Sequence, residues 1–219
     1  MMRRFVWLLC ALAAGTRVAS AQDSPRQLAA DRATALQLAQ IVDSARAQGL
    51  PTDPIIAKAR LGALLHTPSD RIVAVARSVA IRLAEARTAL APAPTEAEIA
   101  QGADALSIAG VTPDALRALR SARPDKPVAV PIGVLTQLVA AGVPAKRATQ
   151  IVTDLIKRGA NSDQLIALGN NVDFDIGRGA RATSALDVRL RGLTAVLPAA
   201  AGSATAASLS GSDKPVKQP

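Results

Sequence analysis

Ser69-Asp70-Arg71-Ile72-Val73-Ala74-Val75-Ala76-Arg77-Ser78-Val79-Ala80-Ile81-Arg82-Leu83-Ala84-Glu85-Ala86-Arg87-Thr88-Ala89-Leu90 is the stretch that decides the fold class. Ile72, Val75, Val79, Leu83, Ala86 and Leu90 recur every three or four positions. At about 3.6 residues per turn, that spacing lines one face of a helix. Arg71, Arg77, Arg82 and Arg87 fall largely off the stripe. The rest of the chain is made of similar material. Alanine, leucine and arginine dominate, and all three propagate helices well. Aromatic residues, which favour strands, make up 1% of the chain.

Helix starts and stops recur on either side of this stretch. Thr67-Pro68-Ser69-Asp70 offers an N-cap, a proline at the first helical position and an acid in the first turn. Thr95-Glu96-Ala97-Glu98 has the form of a capping box, in which threonine and the second glutamate each satisfy a free backbone N–H. Asp53-Pro54 and Thr112-Pro113-Asp114 are further openings. Gly49, Gly110, Gly142 and Gly159 each follow an apolar-periodic run, where a left-handed glycine closes a helix. Leu50, Val111 and Val143 come next, with proline soon after. These signals predict helices near 25–48, 53–65, 68–90, 95–109, 113–122, 128–141, 144–158, 162–176 and 180–192. The expected fold is all-α, with short helices joined at Gly-apolar-Pro corners.

The chain also resembles itself at an offset of 93 residues. Ala47-Gln48-Gly49-Leu50-Pro51 aligns with Ala140-Ala141-Gly142-Val143-Pro144, and Ser69-Asp70 with Ser162-Asp163. Ile72 meets Leu165, Val73 Ile166, Val75 Leu168, Val79 Val172, Ile81 Phe174 and Leu83 Ile176. The step from Gly49 to His66 equals that from Gly142 to Gly159, 17 residues in each case. The expectation is an internal repeat with two related helical subdomains, 24–122 and 128–195, and three prolines between or near them at 124, 127 and 131. Large side chains are few, so close packing through alanine has to supply much of the stability.

The termini read differently. Met1-Met2-Arg3-Arg4, an apolar run over 5–14 and the small-residue site Ala19-Ser20-Ala21 are the three parts of an export signal, expected over 1–21. The apolar run is about half the length a spanning helix needs. Cys10 lies inside that run behind Leu8-Leu9, which does not fit a lipidation site. Cleavage after Ala21 leaves 198 residues and, with Arg3, Arg4 and Arg17 removed, lowers the formal charge from +9 to +6. The remaining chain has no cysteine and cannot use disulfides. Residues 198–219 are rich in Ala, Gly, Ser and Pro, without amphipathic period, and read as a flexible tail. The expected location is periplasmic or secreted, with no stable transmembrane segment after cleavage.

Candidate chemistry is sparse. Asn171, Asp173 and Asp175 have the spacing of the first ligands of a calcium loop, but Ile176 stands where glycine is needed and Ala182 where the closing glutamate belongs. On a helix, side chains two apart point about 200° from each other and cannot share an ion. His66 is the one histidine, placed at a helix end where it complements the dipole. Glu96 and Glu98 suit a helix start, and Glu85 sits among arginines. Gly177-Arg178-Gly179 lacks the strand and the Gly-Lys-Ser/Thr of a phosphate loop. No catalytic residue, metal or cofactor is expected. Arg178, Arg181, Arg189 and Arg191 cluster near the end of the fold and form the candidate anion-binding surface. The expected function is a non-catalytic helical module of the cell envelope that binds a partner protein or an anionic lipid or polymer surface. Nucleic acid is disfavoured by export and by the lack of stacking aromatics. The alternatives are a periplasmic chaperone with an apolar helical cradle and a hydrolase whose acids converge only in three dimensions.

Overall fold

The computed structural model describes residues 25–198, with side chains from Arg32 onward. Among the described residues there are nine helices and no strand. They are α1 (Pro25–Ala47), α2 (Asp53–Leu64), α3 (Ser69–Ala89), α4 (Glu96–Leu106), α5 (Pro113–Ala122), α6 (Ala129–Ala140), α7 (Ala145–Lys157), α8 (Ser162–Gly177) and α9 (Ala182–Val196). The export signal expected over 1–21 and nearly all of the flexible tail expected over 198–219 lie outside the described residues. Two ends depart from the pattern read in the sequence. Helix α4 stops at Leu106, short of 109, and α9 runs past Gly192 to Val196. Leu190, Leu193 and Leu197 pack against the core, which carries α9 through a glycine that costs about 1 kcal/mol in isolation.

Helix punctuation is local. The Thr95–Glu98 capping box forms in full, and a second box joins Asn161 to Gln164 at the start of α8. Thr67 does not cap α3; Pro68 occupies that position without a side-chain bond. Thr112 likewise makes no side-chain cap for α5, and Pro113 opens that helix. The glycines expected to close helices are left-handed, with φ of +66° at Gly49, +88° at Gly110, +97° at Gly142 and +85° at Gly159. His66 adopts the same region at φ +52° without being glycine.

The helix ends at 45–50 and 138–143 close identically. Leu50 N–H bonds to Ala45 O at 3.0 Å, and Val143 N–H to Leu138 O at 3.0 Å. The next pair of corners matches too: Thr67 N–H to Gly62 O at 2.9 Å and Ala160 N–H to Leu155 O at 2.9 Å. Donors and acceptors in both pairs differ by 93 in residue number. Each is the six-to-one bond that ends a helix on a left-handed residue.

Packing runs as a succession. Helices α1 and α2 lie on α3, α3 on α4 and α5, α4 on α6, α5 and α6 on α7, α6 on α8, and α8 on α9. One contiguous apolar core extends from Ala45 to Leu186. It is rich in alanine, including the fully buried Ala76, Ala86, Ala105 and Ala148. At the α3–α4 crossing, a Cβ on Gly102 would lie 2.9 Å from the Ala86 Cβ, so that approach requires glycine.

The inward stripe of α3 is Ile72, Val73, Ala76, Val79, Leu83, Ala86, Ala89 and Leu90. Val75 does not belong to it: its side chain is exposed. Ala76, one residue on, takes the inward place, where a small side chain lets a neighbouring helix come close.

Candidate functional site

The most constrained polar group is Glu98, which is only 2% exposed. It does more than cap its own helix. One oxygen, Oε2, accepts from Thr95 N–H at 2.8 Å and from the Thr95 hydroxyl at 3.2 Å. The other, Oε1, accepts from Arg120 at 2.7 Å and from Val128 N–H at 2.7 Å. Arg120 also donates to Lys126 O at 3.2 Å. The carboxylate therefore ties the start of α4 to the end of α5 and the entry to α6. Burial pushes its pKa up, but the N–H groups of Val128 and Thr95 and the Arg120 guanidinium outweigh this and hold it below the usual glutamate value. The capping box was legible in sequence. The bonds to Arg120 and Val128 were not, because 22 and 30 residues intervene.

The four arginines of the candidate anion-binding surface have different surroundings. Arg189 grips Asp175 with two hydrogen bonds of 2.6 Å, joining α9 to α8. Those bonds hold the Asp175 carboxyl below the usual aspartate value against the opposing effect of desolvation, with the charges of Arg189 and Arg178 adding to them. Asp187 is bonded to Arg147 of α7. Arg178, at the end of α8, stacks over the Phe174 ring at 5.5 Å. Arg181 caps the start of α9 by position only, without a side-chain bond. Arg191 makes one long contact of 3.4 Å to the Asp187 carbonyl. Arg178, Arg181 and Arg191 are exposed and form no ion pair among the described residues. Arg189 is half-buried and already neutralised.

Asn171, Asp173 and Asp175 lie on α8, and their side chains are bound elsewhere or directed apart. Asp173 accepts from Gln137 of α6 at 2.6 Å, and Asp175 is held by Arg189. Among the described residues no three of His, Cys, Asp and Glu converge as metal ligands. His66 is exposed just past the end of α2. Among the described residues no helix is long and apolar enough to cross a membrane.

A feature absent from the sequence reading lies at the other end of the fold. Helices α1 and α2 both pack on α3 but meet each other lightly. Between them runs a groove of about 530 Å³, walled by residues such as Ala35, Leu38, Val42, Ile56, Ala59 and Ala63, with Arg60 among its lining. Beyond it, Leu61 and Leu64 of α2 and Leu65 at its C-cap are 48%, 75% and 68% exposed. Periodicity alone could not flag these leucines, since a three- or four-residue spacing looks the same whether a helix face is covered or open. Comparison of the chain with protein-family models, with curated proteins and with solved structures finds no match.

Proposed function

We propose that the chain is an exported, non-catalytic helical protein of the cell envelope that binds an anionic surface or a partner protein there. The observation that carries this reading is the α8–α9 corner. Its acids are spent internally, Asp175 on Arg189 and Asp187 on Arg147, which leaves Arg178, Arg181 and Arg191 exposed and, among the described residues, without ion pairs. Exposed cations on a chain of net positive charge attract polyanions and anionic lipid. Glu98 and Asp175, each held down by its partners, are not poised as neutral-pH proton donors. Export rests on the N-terminal pattern of charge, apolar run and small-residue site. The repeat is read as two related helical units, an interpretation supported by the corner bonds that recur 93 residues apart.

The test is chemical crosslinking in the native envelope followed by pull-down, beside salt-dependent binding to anionic polymer and lipid. Replacing Arg178, Arg181 and Arg191 together by Gln is expected to weaken capture several-fold and flatten its salt dependence. Undiminished capture by that variant, or no capture by the parent chain, removes the reading. N-terminal analysis of the exported chain is expected to begin at Gln22.

A further inference from the structure

Helix α2 is apolar on two sides. Inward, Ile55 is fully buried and Gly62 lets Ile72 of α3 approach to within 3.0 Å of where a Cβ would stand. Outward, at about 100° per residue, Ala57, Leu61, Leu64 and Leu65 share one arc of roughly 100°. The cations Lys58 and Arg60 border that arc, one on each side. Both are exposed, and neither forms an ion pair among the described residues. Asp53, in the first turn, is the one acid of the helix. Past Arg60 the apolar surface continues into the α1–α2 groove.

The fold itself does not require this face to be greasy. At the matching positions of α7 and its C-cap, 93 residues on, Gln150, Asp154, Lys157 and Arg158 stand in place of Ala57, Leu61, Leu64 and Leu65. The same corner is thus built with a charged outer face in one half and a leucine face in the other. Three exposed leucines gathered on one face, rather than scattered singly, single this face out.

The geometry points to the outer face of α2 as a docking surface for an anionic phospholipid bilayer. The inference rests on the reading of the chain as a binder of anionic surfaces and adds to the α8–α9 arginines a second contact, apolar and flanked by cations, on α2. Charge and shape select this occupant. Leucines on a convex helix face enter the headgroup–acyl boundary, while flanking lysine and arginine extend their stems along it and place their charges among lipid phosphates.

The experiment is flotation with vesicles of phosphatidylcholine alone and of phosphatidylcholine with phosphatidylglycerol. It uses the chain from Gln22 onward, which retains all nine described helices and leaves out the apolar run at 5–14. The chain is expected to float with the phosphatidylglycerol vesicles and much less with the neutral ones. The decisive variant transplants the second half's residues: Leu61→Asp, Leu64→Lys and Leu65→Arg. It raises the net positive charge by one, so attraction by charge alone strengthens. Insertion of leucines instead predicts a loss of partitioning on the order of a hundredfold. Lys58→Gln with Arg60→Gln is expected to weaken the preference for phosphatidylglycerol several-fold. Circular dichroism checks that both variants stay helical.

Undiminished flotation of the leucine variant overturns the inference. If the Arg178, Arg181 and Arg191 variant then loses binding, the envelope-surface reading survives with its site at the α8–α9 corner. Failure of the parent chain to float on either vesicle also overturns the inference. So does a concentration-dependent dimer by sedimentation that the leucine variant abolishes without any lipid binding, which assigns the face to a second copy.

Discussion

The corner between α2 and α3 and the corner between α7 and α8 have one backbone and two surfaces. Both end their first helix on a left-handed residue with the same six-to-one bond. In one the residue is His66, in the other Gly159. Beyond the corner, the buried positions Ile72, Ala76 and Val79 match Leu165, Gly169 and Val172. Ile81 and Phe174 are exposed in both. The flanks differ. Val73 is buried and its counterpart Ile166 exposed, whereas Val75 is exposed and Leu168 buried. Helix α2 stays on α3, but α7 packs on α5 and α6. The lesson is that an inward row and a helix stop specify a corner, while the neighbouring helix decides which flank is covered.

A second contrast is between the two ion pairs that brace the halves. Glu98–Arg120 is buried, with side chains 2% and 13% exposed, and is completed by backbone donors. Asp175–Arg189 is more open, at 21% and 37%. Removing one partner of a buried pair leaves an uncompensated charge, so Glu98→Ala is expected to cost about 3–5 kcal/mol in denaturant unfolding. A cost within about 0.5 kcal/mol would show that the two braces are equivalent. The pH dependence follows from the direction of the shift. The folded-state pKa of Glu98 lies below the unfolded value, so its contribution is complete above the ordinary glutamate pKa and fades as pH falls through the depressed value. Between neutral pH and about pH 3, Glu98→Gln is expected to lose less stability than the parent chain, as read from denaturation midpoints.

The corner residues give the next effect, with opposite signs in the two halves. Gly159→Ala forces a side chain into a left-handed site and is expected to destabilise by about 1–2 kcal/mol. His66→Gly relieves the same conformation and is expected to stabilise by up to about 1 kcal/mol, less the added chain entropy of glycine. Thermal unfolding of the two variants sharpens the likeness if the shifts oppose and breaks it if they share a sign. The smallest effect belongs to the open pair. Asp175→Asn is expected to leave global stability nearly unchanged while speeding amide exchange in α9 relative to α4, measurable by hydrogen–deuterium exchange. Equal exchange in both helices would mean the Arg189 brace does not hold α9 to α8.

Much of the fold could be read before any coordinates. Capping boxes, glycine stops and first-turn prolines act within a turn of themselves, which is why Thr95–Glu98 and Gly49, Gly110, Gly142 and Gly159 were all recognisable. The candidate site was only partly legible. The sequence brings Arg178, Arg181, Arg189 and Arg191 close along the chain, but it could not show that Asp175 neutralises Arg189 or that Asp187 turns to Arg147.

Helical class, helix order and the closing of corners were determined by the sequence itself, because they depend on dihedral preference and on bonds spanning three to six residues. Tertiary structure alone decided that Glu98 reaches Arg120 and Val128, that Val75 faces outward and Ala76 inward, and that the leucines of α2 stay uncovered. Each of these depends on which helix arrives from far along the chain, and apolar periodicity carries a face's direction but no record of what will meet it.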